Sequence, residues 1–429
     1  MMRTTAMVLG AKQTRLLATP RTYRALDTDE ATEANAHLAS LQEVSAAADL
    51  VALGHRSQAA PLLERAVEIC SGSTGQNSAL TRAAVQRLAL VLYDDQRFGA
   101  AEAALTRGVS APQNKDSSEL LLLSKAQLFQ GKVSPAVETC ARAVDLCQQD
   151  ADNTPDTDAL GQALRQLGAI QVLEGVENDA ETSLLRAARL GSTPVDQGKG
   201  LAALASFNIA RGDEQSVEEA VELLNEACAT TNESDKREVS TEGNGPLDAG
   251  GKEGAAACDA QLARASVLCT AAQGELVLAR GTTTASYRLA EALRIREKLL
   301  PGGHPATAWT LCLLARCHLV AGEAVTAEGL FRAALDGLPG TAEEADGDIV
   351  KSQRSAGATL ARPILFASPI HPYSMAATLR GYSKLLMQWE KREAEGKLTA
   401  RQAEKVESTL RLKPPGGITM HMLHLDDVY

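Results

Sequence analysis

Aromatic residues are scarce: five Phe, six Tyr and two Trp make up 3% of the 429 residues, although 45% are hydrophobic. Strands of sandwiches and barrels draw on aromatic and β-branched side chains, so this shortage excludes an all-β chain and favours helices packed through Ala and Leu. No apolar run approaches the ~18–20 residues of a membrane-spanning helix. The eight cysteines, Cys70, Cys140, Cys147, Cys228, Cys258, Cys269, Cys312 and Cys317, never form a Cys-x-x-Cys pair and mostly sit among Ala and Leu, which reads as reduced thiols in a core. There is no P-loop, no G-x-G-x-x-G after a strand, no H-E-x-x-H and no G-x-S-x-G. No catalytic residue, metal or cofactor is therefore expected. Acidic residues outnumber basic ones 54 to 43, giving a net charge of -11. That balance argues against general nucleic-acid binding, which needs a basic surface to neutralise phosphates.

Acids are missing altogether from residues 1–26, where Arg3, Lys12, Arg15, Arg21 and Arg24 alternate with hydroxyl and aliphatic residues; Asp27 ends the stretch. Such composition fits an organellar transit peptide, mitochondrial above all, and equally a basic tail of a cytoplasmic protein. Sequencing the N-terminus of the mature protein distinguishes the two.

What the chain does contain is a repeat. A helix with apolar residues three apart, the second followed by a small residue, leads to Gly, then Ala, an apolar residue four later and Ala three after that. The clearest copy has Leu164, Leu167, Gly168, Gly175, Ala180, Leu184 and Ala187; another has Leu311, Leu314, Ala315, Gly322, Ala327, Phe331 and Ala334. The anchoring alanines of the second helices, Ala59, Ala101, Ala136, Ala180, Ala220, Ala285 and Ala327, recur every 35 to 44 residues except for one interval of 65. That interval holds Thr231 to Gly254, a polar, Gly-containing stretch of 24 residues expected to be a disordered insertion. Small residues at the anchors let two helices approach closely, and the Leu or Phe between them fills the groove to the next pair.

The pattern resembles the tetratricopeptide repeat (TPR), and Ala285 to Leu335 is similar to the longer repeats of kinesin light chains in its A-L-x-I-R-E-K-L-L stretch and its linking His304-Pro305, which returns at His371-Pro372. The resemblance implies an all-α fold, a right-handed TPR superhelix of about eight antiparallel helix pairs. Its expected divisions are a basic segment over 1–38, repeats one to five over 39–230, the insertion 231–254, repeats six and seven over 255–338, a loop over 339–370, irregular capping helices over 371–412 and a tail over 413–429. In each His-Pro the Pro suits a first helical turn, so His304 and His371 read as helix starts rather than ligands. His421 and His424 in the tail lack flanking ligands and read as tail residues. The loop carries Glu343, Glu344, Asp346 and Asp348 ahead of an apolar patch from Pro363 to Ala367, expected to fold back onto the stack.

TPR stacks display the fifth and ninth residues of each first helix on the concave face. By resemblance these are Gln86 and Leu90, Leu121 and Lys125, Arg165 and Ala169, Ala202 and Ser206, Cys312 and Arg316, and Arg380 and Lys384. Five are basic and none is acidic. The expected groove is thus a positive stripe of Lys125, Arg165, Arg316, Arg380 and Lys384, with Leu121 for apolar contact, suited to an extended acidic peptide. The Asn residues of an Hsp70/Hsp90 carboxylate clamp are replaced by Leu90, Ala169 and Ser206, so that role is not expected. Residues before Leu41 lack the heptads that join kinesin light chains to a motor. The expected function is a non-catalytic scaffold for protein partners, as a subunit or assembly factor of an organellar complex. A cytosolic kinesin-light-chain-like adaptor is the alternative, and a helical enzyme or cofactor-binding protein a remote one.

Overall fold

The computed structural model describes residues 29–410 except 53–54, 77, 110–115, 152–156, 192, 213, 242–251, 279–281, 301–303 and 339–370. Among the described residues there is no strand. A first helix, α1 (Asp29–Ala39), precedes eight helix pairs: α2 (Gln42–Ala52) with α3 (Arg56–Thr74), α4 (Ala79–Asp94) with α5 (Phe98–Val109), α6 (Ser117–Phe129) with α7 (Val133–Ala151), and α8 (Thr157–Glu174) with α9 (Glu177–Leu190). The stack continues through α10 (Pro194–Arg211) with α11 (Glu214–Thr241), α12 (Lys252–Val277) with α13 (Thr282–Leu299), α14 (Pro305–Val320) with α15 (Ala324–Gly337), and α16 (His371–Met387) with α17 (Glu393–Thr409). From α2 onward each helix packs chiefly on its neighbours in sequence, while α1 lies mainly against α4. This is an all-α TPR solenoid, with the eight pairs expected from the repeat.

The repeat residues do what their spacing implies. All seven anchoring alanines are fully buried. At Gly168 a Cβ atom would lie 2.6 Å from Leu184 Cγ, so the absent side chain is what lets α8 sit against α9. Four of the turns between paired helices place a glycine at positive φ, Gly175 among them at 85°, where L side chains are strained; the second pair has Gln96 there, at 59°. Helix starts also follow local chemistry. Thr193 Oγ1 accepts a hydrogen bond from Asp196 N at 3.1 Å and Pro194 opens α10. His304 Nδ1 accepts one from Ala306 N at 3.1 Å and Pro305 opens α14, which gives the His-Pro motif a capping role.

Apolar clusters succeed one another along the stack: one runs from Leu38 to Phe207, a second joins Ala188 to Ala271, and a third spans Ala265 to Leu386. The last pair carries polar reinforcement. Arg392 bonds Glu328 Oε1 at 2.6 Å and Glu395 through two nitrogens at 2.7 Å each, while its guanidinium lies 5.2 Å from the centroid of the Trp389 ring. The hydrogen bonds and charge of Arg392 hold Glu395 below the usual carboxylate range.

Two expected boundaries shift. Residues 29–38, grouped with the basic segment, belong to helix α1, and Leu38 is fully buried. The stretch 231–254, expected to be disordered, is helical at both ends, because α11 runs to Thr241 and α12 starts at Lys252; only 242–251 lie outside the described residues. The sequence suits the extension of α11: Glu233 precedes Arg237 by four residues, a helix-favouring charge spacing. The segment 1–28, the loop 339–370 and the tail with His421 and His424 lie outside the described residues.

The cysteines are free, six of them buried, with Cys228 half-buried and Cys258 exposed. Burial pushes the Cys140 thiol up to about 12 and those of Cys312 and Cys317 up to about 11, so these three are protonated core groups at neutral pH.

Candidate partner-binding face

The first helices of the pairs, α4, α6, α8, α10, α14 and α16, carry the twelve positions expected on the concave side. Half of them are buried: Leu121, Lys125, Ala169, Ala202, Ser206 and Cys312. Leu121 and Lys125 are each only 3% exposed, which corrects their expected place on an open groove. The stack curls so far that Tyr373, at the start of α16 in the eighth pair, comes within 6.4 Å of Phe129, at the end of α6 in the third, ring centroid to centroid. Tyr93 and Phe98 complete that aromatic group, each under 6 Å from Phe129. Faces turned towards the inside of so tight a curl lose solvent.

The inner seam is held by polar contacts between successive first helices. Gln166 Nε2 on α8 donates to Leu121 O at 2.8 Å and to Ser124 Oγ at 2.5 Å on α6. Gln86 Nε2 on α4 donates to Ser118 Oγ on α6 at 3.1 Å. Lys125 sits close enough to Cys140 that its charge opposes the rise of that thiol.

The remaining cations have different fates. Arg380 is committed within its own pair, with Nε at 2.8 Å and Nη2 at 2.6 Å from the two carboxylate oxygens of Glu407 and with Glu404 at 3.8 Å. That bidentate pair holds Glu407 below the usual carboxylate range and Arg380 above its own. Arg165 is half-buried, and its guanidinium lies back along its own helix, 3.6 Å from where a Cβ on Gly161 would stand. Arg316 is half-buried and Lys384 exposed, and neither forms an ion pair among the described residues. The structure therefore does not bring the six expected residues together as one stripe. It leaves Arg316 and Lys384, one on each of the last two first helices, as the accessible positive pair, with Arg165 separate.

No group of three His, Cys, Asp or Glu side chains capable of holding a metal is present among the described residues, and none of their helices is long and apolar enough to cross a membrane.

These features define a class, the α-solenoid of TPR-type helix pairs. Comparison with solved structures returns matches of low similarity. A putative kinesin light chain of Podosopora anserina with nearly identical TPR-like repeats aligns with a TM-score of 0.37 and 18% identity over 56% of this chain and 98% of its own. BtubC (BKLC) from P. vanneervenii gives 0.31 and 13% over 82% and 94%, and the assembly chaperone of RpL4 (Acl4) gives 0.33 and 16% over 68% and 96%. At such values the class rests on this chain's own helix pairing. No family model matches the chain. No curated protein matches it either.

Proposed function

We propose that the chain is a non-catalytic scaffold which holds protein partners on its solenoid and receives an extended acidic segment at its C-terminal pairs through Arg316 and Lys384. One observation carries this reading: these two cations come from adjacent first helices and have no carboxylate partner among the described residues, although acids outnumber bases in the chain. A half-buried guanidinium and an exposed ammonium on neighbouring helices attract carboxylates presented at matching spacing. Its direct test is binding of a fluorescein-labelled Glu/Leu octapeptide to the full chain and to the Arg316→Glu/Lys384→Glu variant. Loss of binding with unchanged helicity supports the site, and unchanged binding ends it.

The acid-free residues 1–26 support placing this scaffold in an organelle, as a subunit or assembly factor of a larger complex. N-terminal sequencing of the mature protein checks this: a new N-terminus near Asp27 supports import, and an intact Met1 favours the cytosolic adaptor.

A further inference from the structure

A second candidate surface has the opposite charge and lies on different helices. Between α9 and α11, the second helices of the fourth and fifth pairs, a cavity of about 360 Å³ opens over α10. Each helix contributes residues that share one face. Helix α9 supplies Glu181 and, four residues on, Leu185. Helix α10 supplies Leu204 and Asn208, again four apart. Helix α11 supplies Glu219, Glu222, Leu223 and Glu226 at spacings of three, four and seven. The floor is apolar and the walls are acidic.

Three features set it apart from an ordinary solvated face. The like charges on α11 repel at helical spacing, an arrangement that weakens a helix unless something offsets it. Glu181 has Arg211 at 4.0 Å and Glu219 has the Gln215 amide at 3.1 Å, whereas Glu222 and Glu226 form no ion pair among the described residues. Asn208 is only 7% exposed, yet its amide has no hydrogen-bond partner among the described residues while lining the cavity. What stays open of that amide faces the cavity, where a ligand supplying a donor and an acceptor can engage it. Leu185, 36% exposed at the rim, adds an uncovered apolar contact.

The chemistry of the occupant follows. No three acids among the described residues stand close enough to hold a metal, so one small cation does not satisfy this wall. Several spaced cations do. The apolar floor needs an aliphatic side chain, and the Asn208 amide matches the backbone of an extended chain, which offers free N–H and C=O groups. From this geometry we infer that the groove between α9 and α11 binds an extended basic segment of a partner protein, with Lys or Arg side chains on Glu181, Glu219, Glu222 and Glu226, a Leu-like residue on Leu185, Leu204 and Leu223, and its backbone on Asn208. The site goes beyond the acidic-segment reading and does not depend on it.

Fluorescence anisotropy with a labelled Lys/Leu octapeptide, and with its Glu/Leu counterpart, tests the site in the full chain. The basic peptide is expected to bind, to weaken at high salt, and to lose roughly tenfold or more in affinity in Glu222→Lys/Glu226→Lys. Asn208→Ala is expected to weaken it by about threefold to tenfold without altering the salt slope. Glu222→Gln/Glu226→Gln guards against misfolding of the reversed variant and should weaken binding in the same direction. Arg316→Glu/Lys384→Glu should leave the basic peptide unaffected, which separates this site from the other. Unchanged affinity of the basic peptide in both glutamate variants, or an equal loss of the acidic peptide in those variants, overturns the inference. So does binding that appears only after residues 1–28 are removed, since the chain's own basic segment is then the occupant, and so does a dimer that the same substitutions dissociate.

Discussion

Leu121 and Leu185 belong to neighbouring repeats built on one plan, and both lie on positions that a repeat register can assign, yet one is 3% exposed and the other 36%. Leu121 faces the inside of the curl, where Gln166 of the next first helix bonds the Leu121 carbonyl and Tyr373 arrives from the far end of the stack on the same helix α6. Leu185 sits on a second helix, at the rim of a groove whose acids repel each other. Position within a repeat assigns a face, and the accumulated turn from repeat to repeat decides whether that face meets water.

Substitutions can break this contrast. Leu121→Asp should be the most damaging, at about 3–5 kcal/mol, because it buries an unpaired carboxylate, whereas Leu185→Asp should cost under about 1 kcal/mol. Urea melts of the two variants test it; similar midpoints would mean that the inner face is as open as the outer. Gly168→Ala comes next. Its Cβ would stand 2.6 Å from Leu184 Cγ and 3.2 Å from Ala180 O, so a loss of about 1–3 kcal/mol is expected, while Gly329→Ala at an exposed position of α15 meets nothing within 4 Å and should gain up to about 1 kcal/mol. Opposite shifts in thermal midpoint are the signature. A smaller loss, about 1–2 kcal/mol, is expected for Gln166→Leu, which removes the bonds to Leu121 O and Ser124 Oγ. Smallest of all, Arg316→Glu/Lys384→Glu should stay within about 0.5 kcal/mol of wild type, which makes it a clean variant for binding studies.

Much of this architecture was legible in the residues. Ala180, Gly168, Leu184 and Gly175 announce their repeat because close helix packing admits only small side chains at fixed offsets, and the anchors carry that rule along the chain. His304-Pro305 announces a helix start because a capping acceptor followed by Pro fits only there. Lys125 and Arg380 show the limit. Both have the correct register for an open groove, but Lys125 is enclosed by neighbouring repeats and Arg380 is taken by Glu407, 27 residues later in the chain. The acidic groove was half visible, since Glu219, Glu222 and Glu226 share a helical face by spacing alone. Glu181 and Asn208 join them only when three helices are placed.

Local chemistry and short-range packing therefore wrote the helices, their caps, their pairing and the number of pairs into the sequence, because each depends on residues within about one repeat. Tertiary structure alone decided which faces are closed. Small rotations between pairs add over the stack until the eighth meets the third at Tyr373 and Phe129, a consequence that belongs to no single repeat.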